Sequence, residues 1–416
     1  PSSFYKCQNL KLLTFGTGSD GQRLSCLEEI GNDAFYGCER LELVIMIPAS
    51  VRSIGESSFF QCKSLKLVMF EPKDSQLEFI GKRAFYECEG LLSVTMIPAS
   101  VRTIGDASFY GCKALKYVTF ASHHQTGIDH PRLSEIGQKT FQKCALLETV
   151  SNVPATVKTI GKKCFSKCVL LKELNFLLDE GKETLPMLEE VSNLAFNGCE
   201  SLEEVFVMPS SVRRVGKAAF ANCVKLKALK FESVSSCCLK EIDDDAFLNC
   251  TSLESVVNVP MRLSRIGQKA FFNCQNLRSF AFGLGNDPSS VPMLSCIGDF
   301  AFAGCKSLES FKSTSRLPIL VGSSCFNGDE LLGAFVLNSV AVNLGSLCFC
   351  GCKMMSFAYF PAVKELYVAE AAFDEVPESF EVFVPTDVDL NGIGLEKVKN
   401  GIKTNQEPKS INDDGK

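Results

Sequence analysis

The chain has no tryptophan and only three histidines among its 416 residues. It contains no apolar run of about 18 residues or more, so the sequence indicates no membrane span. The formal net charge is −5, whereas a nucleic-acid-binding face would need an excess of basic residues. No glycine pattern of a phosphate loop or a dinucleotide site is present. These absences argue against a membrane-spanning, a nucleic-acid-binding or a nucleotide-dependent protein.

Phenylalanine is abundant instead, and 15 of its 33 copies fall at one position of a repeated pattern. Residues 51–70 show the pattern, which reads Val-x-x-Ile-Gly-x-x-small-Phe-x-x-Cys-x-x-Leu-x-x-Val-x-Phe. A fixed period of about 20–50 residues is typical of a solenoid. The anchor phenylalanines are Phe4, Phe35, Phe59, Phe85, Phe109, Phe141, Phe165, Phe196, Phe220, Phe247, Phe271, Phe302, Phe326, Phe349 and Phe373.

Each copy of the pattern predicts one coil of the solenoid. The Leu-x-x-Val-x-Phe segment resembles the strand of a leucine-rich repeat, and one coil alone cannot bury its apolar face. The residue before the anchor is small, as Ala34 and Ser58 show, which fits close packing between coils. The sequence therefore predicts a repeat solenoid of about 15 coils, with a curved parallel β-sheet and an irregular or short-helical convex side.

The pattern resembles the BspA-like, or Treponema pallidum type, leucine-rich repeats. The residues that carry this resemblance are 47–55, which read Ile-Pro-Ala-Ser-Val-Arg-Ser-Ile-Gly, together with Phe59 and Cys62. Similar copies begin at Ile97 and Met208. The resemblance covers roughly residues 4–385, and it implies surface proteins of anaerobic bacteria or of protists such as trichomonads. Repeats specify a scaffold, so the resemblance says less about function than about fold.

The domain organisation follows from the extent of the repeats. We expect one solenoid over residues 1–385, with degenerate capping coils at 324–385 and a largely disordered tail at 386–416. The chain begins with Pro1 inside a coil and without Met, so we expect it to be a piece of a longer protein. Length variation falls at one place in the coil, and loops on one face are often the binding face. These inserts are 16–23, 71–76, 121–132, 177–187, 232–238 and 283–293.

Cysteine is the second repeated residue, and 13 of the 21 cysteines lie three positions after an anchor. In-register cysteines on adjacent coils would lie about 5 Å apart, a distance that alone does not forbid disulfides. A ladder of equivalent positions favours small buried hydrophobic groups, and we predict reduced thiols. Cys237 and Cys238 lie in an insert and should react with thiol reagents first. The ladder cysteines are Cys7, Cys38, Cys62, Cys88, Cys112, Cys144, Cys168, Cys199, Cys223, Cys250, Cys274, Cys305 and Cys352.

Two other clusters are candidates for chemical sites. His123, His124, Asp129 and His130 share one insert, but their spacing matches no standard zinc pattern. Residues 243–245 are three aspartates without the glycine and glutamate of a calcium loop. No nucleophile–base pair is recognisable. We therefore expect no catalytic residue, no metal and no cofactor, and we predict a protein that is not an enzyme.

Two functions remain after these exclusions. The first is a cell-surface, adhesin-like scaffold that binds host or neighbouring-cell proteins, and the resemblance implies it. The second is an intracellular leucine-rich repeat adaptor that holds a protein partner on its concave face. Cell surface is the favoured location and the cytoplasm the alternative. Neither function involves nucleic acid or a membrane span in this chain.

The partner site is predicted from the alternation of the strands. Positions 3 and 5 of each Leu-x-x-Val-x-Phe segment should face the open side of the sheet, and in the first coils they are apolar. The predicted site comprises Leu43, Ile45, Leu67, Met69 and Tyr117. A missing N-terminal segment that covers this patch, or a shifted strand register, are the alternatives. The predicted structural ladder comprises Phe35, Phe59, Phe85, Phe109, Cys38, Cys62, Cys88 and Cys112.

Overall fold

The fold is a parallel β-solenoid of about 14 turns with almost no helix. A computed structural model of the chain describes residues 2–15, 27–71, 73–122, 131–177, 186–202, 204–232, 238–283 and 291–408. A typical turn holds a long strand, a tight link, a two-residue strand and a compact corner with the anchor phenylalanine. The predicted solenoid with parallel strands is confirmed. The chain divides into two compact units, Pro1–Leu202 and Glu203–Lys416.

The first unit contains a seven-stranded parallel sheet of long strands and a parallel row of short ones. The long strands, in sheet order, are β1 (Leu12–Thr14), β3 (Leu43–Ile47), β5 (Leu67–Phe70), β7 (Ser93–Ile97), β9 (Tyr117–Phe120), β11 (Thr149–Pro154) and β13 (Glu173–Leu177). The short strands are β2 (Glu29–Ile30), β4 (Ser53–Ile54), β6 (Phe79–Ile80), β8 (Thr103–Ile104), β10 (Glu135–Ile136), β12 (Thr159–Ile160) and β14 (Glu190–Val191).

The second unit repeats this plan with two sheets of long strands. One sheet contains β15 (Val205–Met208), β17 (Ala228–Phe231), β19 (Ser255–Val259) and β21 (Ser279–Phe282). The other contains β23 (Ser310–Ser313), β25 (Ala334–Leu337), β27 (Phe357–Tyr359), β29 (Glu381–Val384) and β31 (Ile402–Thr404). The second row comprises β16 (Arg214–Val215), β18 (Glu241–Ile242), β20 (Arg265–Ile266), β22 (Cys296–Ile297), β24 (Ile319–Val321), β26 (Ala341–Leu344), β28 (Glu365–Val368) and β30 (Asp389–Asn391).

The core of the first unit is a stack of anchor phenylalanine rings, one from each turn. The ring centroids of Phe59 and Phe85, and of Phe85 and Phe109, lie 5.1 Å apart with nearly parallel planes. Isolated aromatic pairs favour offset or edge-to-face contacts, but the strand spacing of about 4.8 Å imposes parallel stacking here. All three side chains have no exposed surface.

The ladder cysteines lie beside this stack and donate hydrogen bonds. The Sγ of Cys62 donates to the carbonyl oxygen of Phe35 at 3.2 Å, and the Sγ of Cys88 donates to that of Phe59 at 3.1 Å. Each bond joins one turn to the turn before it, so the thiol satisfies a buried backbone carbonyl. Sequence analysis treated these cysteines as small hydrophobic groups and missed this second role.

The side away from the long strands differs from the expected irregular or short-helical surface. It is formed by the short strands and by the corners around the anchors. Among the described residues one segment is helical, a 3₁₀ helix at Ile393–Gly401. The short strands pair with one another, so this side also advances by about 4.8 Å per turn, which is less than the roughly 8–10 Å that separates packed helices. The corners also follow one another closely, and the N–H of Phe59, for example, donates to the carbonyl of Ala84 at 2.7 Å.

The segment at 386–416 also differs from the expected disordered tail. It contributes β30, the 3₁₀ helix and β31, and β31 pairs in parallel with β29 through Val382 and Ile402. The apolar Ile402 and the open edge of β29 account for this order, because an unpaired strand edge gains hydrogen bonds from an added strand. Residues 409–416 lie outside the described residues. The single continuous domain over 1–385 stays a prediction.

Candidate interaction surface on the first unit

The sheet of the first unit has one face in the core and one face open, as alternating burial shows. In β5, Val68 is fully buried and Phe70 is 4% exposed, whereas Met69 between them is 36% exposed. Successive side chains of a strand point to opposite faces, so the residues that share Met69's direction form the open face. This is the face on which sequence analysis placed the partner site.

Three leucines form a row across the N-terminal strands of this open face. The parallel register pairs Leu12 with Leu43, and Leu43 with Leu67. Leu12 is 49% exposed, Leu43 is 39% exposed, and Leu67 is half-buried. The row continues through Ser93 to Tyr117, whose ring is 47% exposed. Four of the five predicted site residues thus lie on one face, as far as their side chains are described.

A β-bulge lies in β3 at the fifth predicted site residue, Ile45. The register between β3 and β5 shifts between Val44 and Ile47, and Met46 adopts a positive φ of 40°. Met46 is 40% exposed, so it adds a second methionine to the patch. The side chain of Ile45 lies outside the described residues. One signal was available in the sequence: Val44 is followed by two residues before the next buried side chain, whereas Val68 is followed by one.

We call Leu12, Leu43, Met46, Leu67 and Met69 the apolar patch. The strands that follow it carry mainly small or polar side chains on the same face, with Tyr117 and the half-buried Met96 as exceptions. The small or polar residues are Ser93, Thr95, Thr119, Thr149, Ser151, Glu173 and Asn175. The exposed apolar surface is therefore concentrated on the first three long strands, and a contiguous exposed apolar surface is typical of an interaction site.

Charged pairs accompany the strands that bear the patch. The Nζ of Lys66, next to Leu67, lies 3.2 Å from the carboxylate of Glu42 on the preceding turn. Farther along the sheet, Lys172 pairs with Glu148 at 2.9 Å. Hydrogen bonding within this second pair raises the pKa of Lys172 and lowers that of Glu148. Such exposed pairs add little stability, and their place beside the open face makes them a polar rim.

The buried ladder cysteines have no reactive character. Burial raises the pKa of the Cys88 and Cys112 thiols well above the ordinary value, so their thiolate forms are strongly disfavoured. All cysteines within the described residues are free thiols. One member departs from the predicted ladder: Cys7, in the first turn, is exposed, because no preceding turn covers it among the residues described.

Two of the other predicted clusters cannot be located in the structure. His123, His124, Asp129, His130 and Cys237 lie outside the described residues.

The three aspartates at 243–245 form ion pairs. Arg265 reaches Asp244 at 2.8 Å and Asp243 at 3.4 Å. Burial opposes the charge of Asp243, but hydrogen bonds from the Asp244 N–H and from Arg214 outweigh it and lower its pKa. Within the described ranges, no group of three His, Cys, Asp or Glu side chains has the geometry of a metal site.

A family comparison settles the repeat class. The model described as "BspA type Leucine rich repeat region (6 copies)" matches residues 1–96, 28–168, 115–234, 183–291 and 288–389. These overlapping matches extend through residue 389. The chain belongs to the BspA-type leucine-rich repeat family. This family is a repeat scaffold that is typically without enzymatic activity, and its fold implies protein binding.

Three solved structures are similar to the BspA-type chain to different degrees. A leucine-rich repeat protein from Bacteroides ovatus is 22% identical, covers 94% of this chain and 85% of its own, and superposes with a TM-score of 0.59. A leucine rich cell surface protein from Faecalibacterium prausnitzii is 21% identical over 96% of this chain and 92% of its own, with a TM-score of 0.41. The Treponema pallidum leucine-rich repeat protein is 31% identical over 43% of this chain and 77% of its own, with a TM-score of 0.35.

Of these three structures, the one from Bacteroides ovatus supports the fold of the BspA-type chain, whereas the TM-scores of the other two lie below 0.5. No curated protein matches the chain. Among the described residues, no helix combines the length and the hydropathy needed to cross a membrane.

Proposed function

We propose that this BspA-type chain is a non-enzymatic scaffold for protein–protein interaction, and that it acts as an adhesin-like protein at a cell surface. Family membership supports the scaffold role. The resemblance to surface proteins of anaerobic bacteria and trichomonads supports the location and the adhesive, antigen-like role. The partner is a protein of a host or of a neighbouring cell.

The observation that carries this proposal is the apolar patch on the open face. Leu43, Met46 and Met69 expose about two fifths of their surface where later turns expose serine and threonine. Complete burial of a fully exposed methionine side chain contributes about 1.5–3 kcal/mol, so burying the exposed two fifths of Met46 and of Met69 contributes about 0.6–1.2 kcal/mol each. The patch, with Tyr117 at its far end and the rim pair Lys66–Glu42 beside it, resembles the apolar centre and polar border of a protein interface.

The experiment is a double substitution, Met46→Ser with Met69→Ser, in the full chain. Surface proteins of candidate host or neighbouring cells are biotinylated, captured on the immobilised chain and identified, and the affinity for each captured protein is then measured. The double variant should bind its partner at least tenfold more weakly, because two buried side chains are lost. Its circular dichroism and its unfolding midpoint should stay unchanged, since both residues are exposed.

The matched control is Leu146→Ser with Leu170→Ser. These leucines are 39% and 37% exposed in the same unit and lie outside the open face of the sheet. They should leave affinity unchanged. If the methionine variant binds every captured protein as tightly as the control does, the apolar patch is not the partner site.

The alternative is an intracellular adaptor that holds a protein on the same face. Surface labelling of the full-length protein in intact cells separates the two functions. Protection of the protein from a membrane-impermeant reagent would contradict the adhesin-like role, and it would leave the scaffold role to the affinity experiment above.

A further inference from the structure

Two adjacent turns of the first unit carry five lysines around their anchors. Lys139 and Lys163 lie two residues before the anchors Phe141 and Phe165, and Lys143 and Lys167 lie two residues after them. The N–H of Lys139 donates to the carbonyl of Lys162 at 2.9 Å, which fixes the two turns side by side. We call Lys139, Lys143, Lys162, Lys163 and Lys167 the lysine corner.

The lysine corner groups five lysines that lack carboxylate partners, whereas several other lysines of the unit are paired. Lys63, Lys113 and Lys172 each lie 2.9 Å from a glutamate on the preceding turn. Within the part of the chain that the structure describes, none of the five corner lysines has a carboxylate within ion-pair distance. Four are exposed and Lys163 is half-buried. A protein with a net charge of −5 thus concentrates unneutralised positive charge in one place.

The charges on the neighbouring turns limit the shape of the partner that can bind the lysine corner. Equivalent positions around the preceding anchors carry charges of both signs. The acidic residues are Asp33, Glu56, Glu87 and Asp106, and the basic ones are Lys6, Lys82 and Arg83. A flat anionic surface such as a lipid bilayer would meet these carboxylates together with the lysines and would be repelled by them. Two turns span only about 5 Å between their backbones. The charge pattern therefore favours a narrow anionic chain over an anionic plane.

The side chains between the lysines indicate which kind of anionic polymer the lysine corner binds. Single-stranded nucleic acid binds where basic groups alternate with aromatic rings on which bases stack. On the two lysine turns, the residues directly after the anchors are Gln142 and Ser166. The nearest ring is that of Tyr110, and the Nζ of Lys143 lies over it at 5.3 Å from the ring centroid. The rings of the preceding turns, Phe60, Tyr86 and Tyr110, stack on one another with centroids 4.7–4.8 Å apart, so their faces are occupied. Lys143 covers the last ring of this row, which leaves no open ring face for a base beside the lysine corner among the described residues.

We propose that the lysine corner binds a sulfated polysaccharide. Its lysines face the sulfate groups of an extended glycan that crosses the two turns, and the interaction is electrostatic and sensitive to salt. The site lies at the corner of the turn and not on the open face of the sheet, so it is independent of the proposed protein-binding patch.

The test measures binding of fluorescent heparin oligosaccharides to the full chain at physiological salt. Wild type should bind heparin and should bind length-matched desulfated heparin at least tenfold more weakly. The variant Lys139→Gln/Lys143→Gln/Lys163→Gln/Lys167→Gln should lose at least tenfold in affinity. Its dependence on salt should become less steep, by about one unit of the logarithmic slope for each ionic contact removed.

The matched control replaces four paired lysines of the same unit, Lys63, Lys66, Lys113 and Lys172, by glutamine. It changes the net charge equally and should keep heparin affinity within twofold. Glutamine at the corner keeps the same Cβ and backbone angles, so the fold should persist. If the quadruple variant unfolds, the pairs Lys139→Gln/Lys163→Gln and Lys143→Gln/Lys167→Gln replace it, and each should weaken binding at least threefold.

Several results would overturn the proposal. These are absence of heparin binding by wild type, equal binding of desulfated heparin, and unchanged affinity of the folded corner variants. Tighter binding of single-stranded oligothymidine, or of vesicles that contain phosphatidylserine, would assign the lysine corner to another polyanion and would equally overturn it.

Discussion

Asp329 is the position where one substitution should stabilise the chain. It occupies the ladder position three residues after Phe326, where other turns carry cysteine, and it is fully buried. Its Oδ1 accepts a hydrogen bond from the Cys305 N–H at 2.8 Å, but its Oδ2 has no partner. Burial raises the pKa of this carboxyl well above its ordinary value, against the hydrogen bonds from Cys305 and Gly304. The substitution is Asp329→Cys.

The expected gain in stability follows from the unpaired Oδ2 of Asp329. A buried polar atom without a partner costs about 1–3 kcal/mol. A cysteine would remove that oxygen, and its Sγ would reach the Phe302 carbonyl as the Sγ of Cys352 reaches Phe326 at 3.2 Å. The Cys305 N–H keeps its bond to the Phe302 carbonyl at 3.0 Å. We therefore expect Asp329→Cys to raise the free energy of unfolding of the second unit by about 1–3 kcal/mol at pH 7.

The stability gain of Asp329→Cys should depend on pH. The folded chain holds a proton on Asp329 that the unfolded chain releases above about pH 4. The stability of wild type should therefore fall as pH rises from about 4, and the advantage of Asp329→Cys should grow over the same range.

Urea unfolding followed by circular dichroism at pH 4, 6 and 8 measures the advantage, with Asp329→Asn as the control that removes only the titration. An advantage that is absent at pH 8, or that shrinks as pH rises, would refute the account of Asp329.

Three further outcomes test the core. Phe85→Ala should lower the free energy of unfolding by about 3–5 kcal/mol, because it deletes a fully buried ring of the stack, whereas Phe79→Ala should have little effect on the urea midpoint, since that ring is 46% exposed. Equal losses would contradict the stack as the main source of stability. Gly81→Ala should cost about 1–3 kcal/mol by the same measurement, because its Cβ would lie 2.6 Å from the backbone of the preceding turn. A maleimide should label Cys7 before Cys88 in the native protein, since burial raises the pKa of Cys88 and hides its thiol, and early labelling of Cys88 would contradict this.

The repeat made the fold predictable from the sequence. Anchors such as Phe59 and the strands that follow them recur at a fixed spacing, and stacking is the arrangement that buries each apolar face. The alternation of Val68, Met69 and Phe70 was enough to assign the two faces of the sheet. The average pattern does not show the bulge at Met46, because the bulge belongs only to some of the turns. It recurs with a positive φ at Met96, Asn152 and Asn258.

The candidate sites were less predictable for a related reason. The hydrogen bond from the Cys62 thiol depends on a carbonyl of another turn, and no local signal in the sequence indicates it. The lysine corner combines residues about 24 positions apart whose pairing state depends on acids in the neighbouring turns. Net charge averages over such a patch, so a chain of −5 gave no hint of it.

The corners of the solenoid also have a consequence for how such a protein can change. In the first unit, the residue two before each anchor adopts a positive φ, and these residues are Ser2, Asp33, Ser57, Arg83, Ala107, Lys139, Lys163 and Leu194. The conformation costs free energy, which the hydrogen bonds between turns offset, and that cost is similar for most residues other than glycine. Acidic, basic, small and aliphatic side chains therefore occupy geometrically equivalent sites. New surface chemistry can arise there one turn at a time, while the stacked interior stays the same.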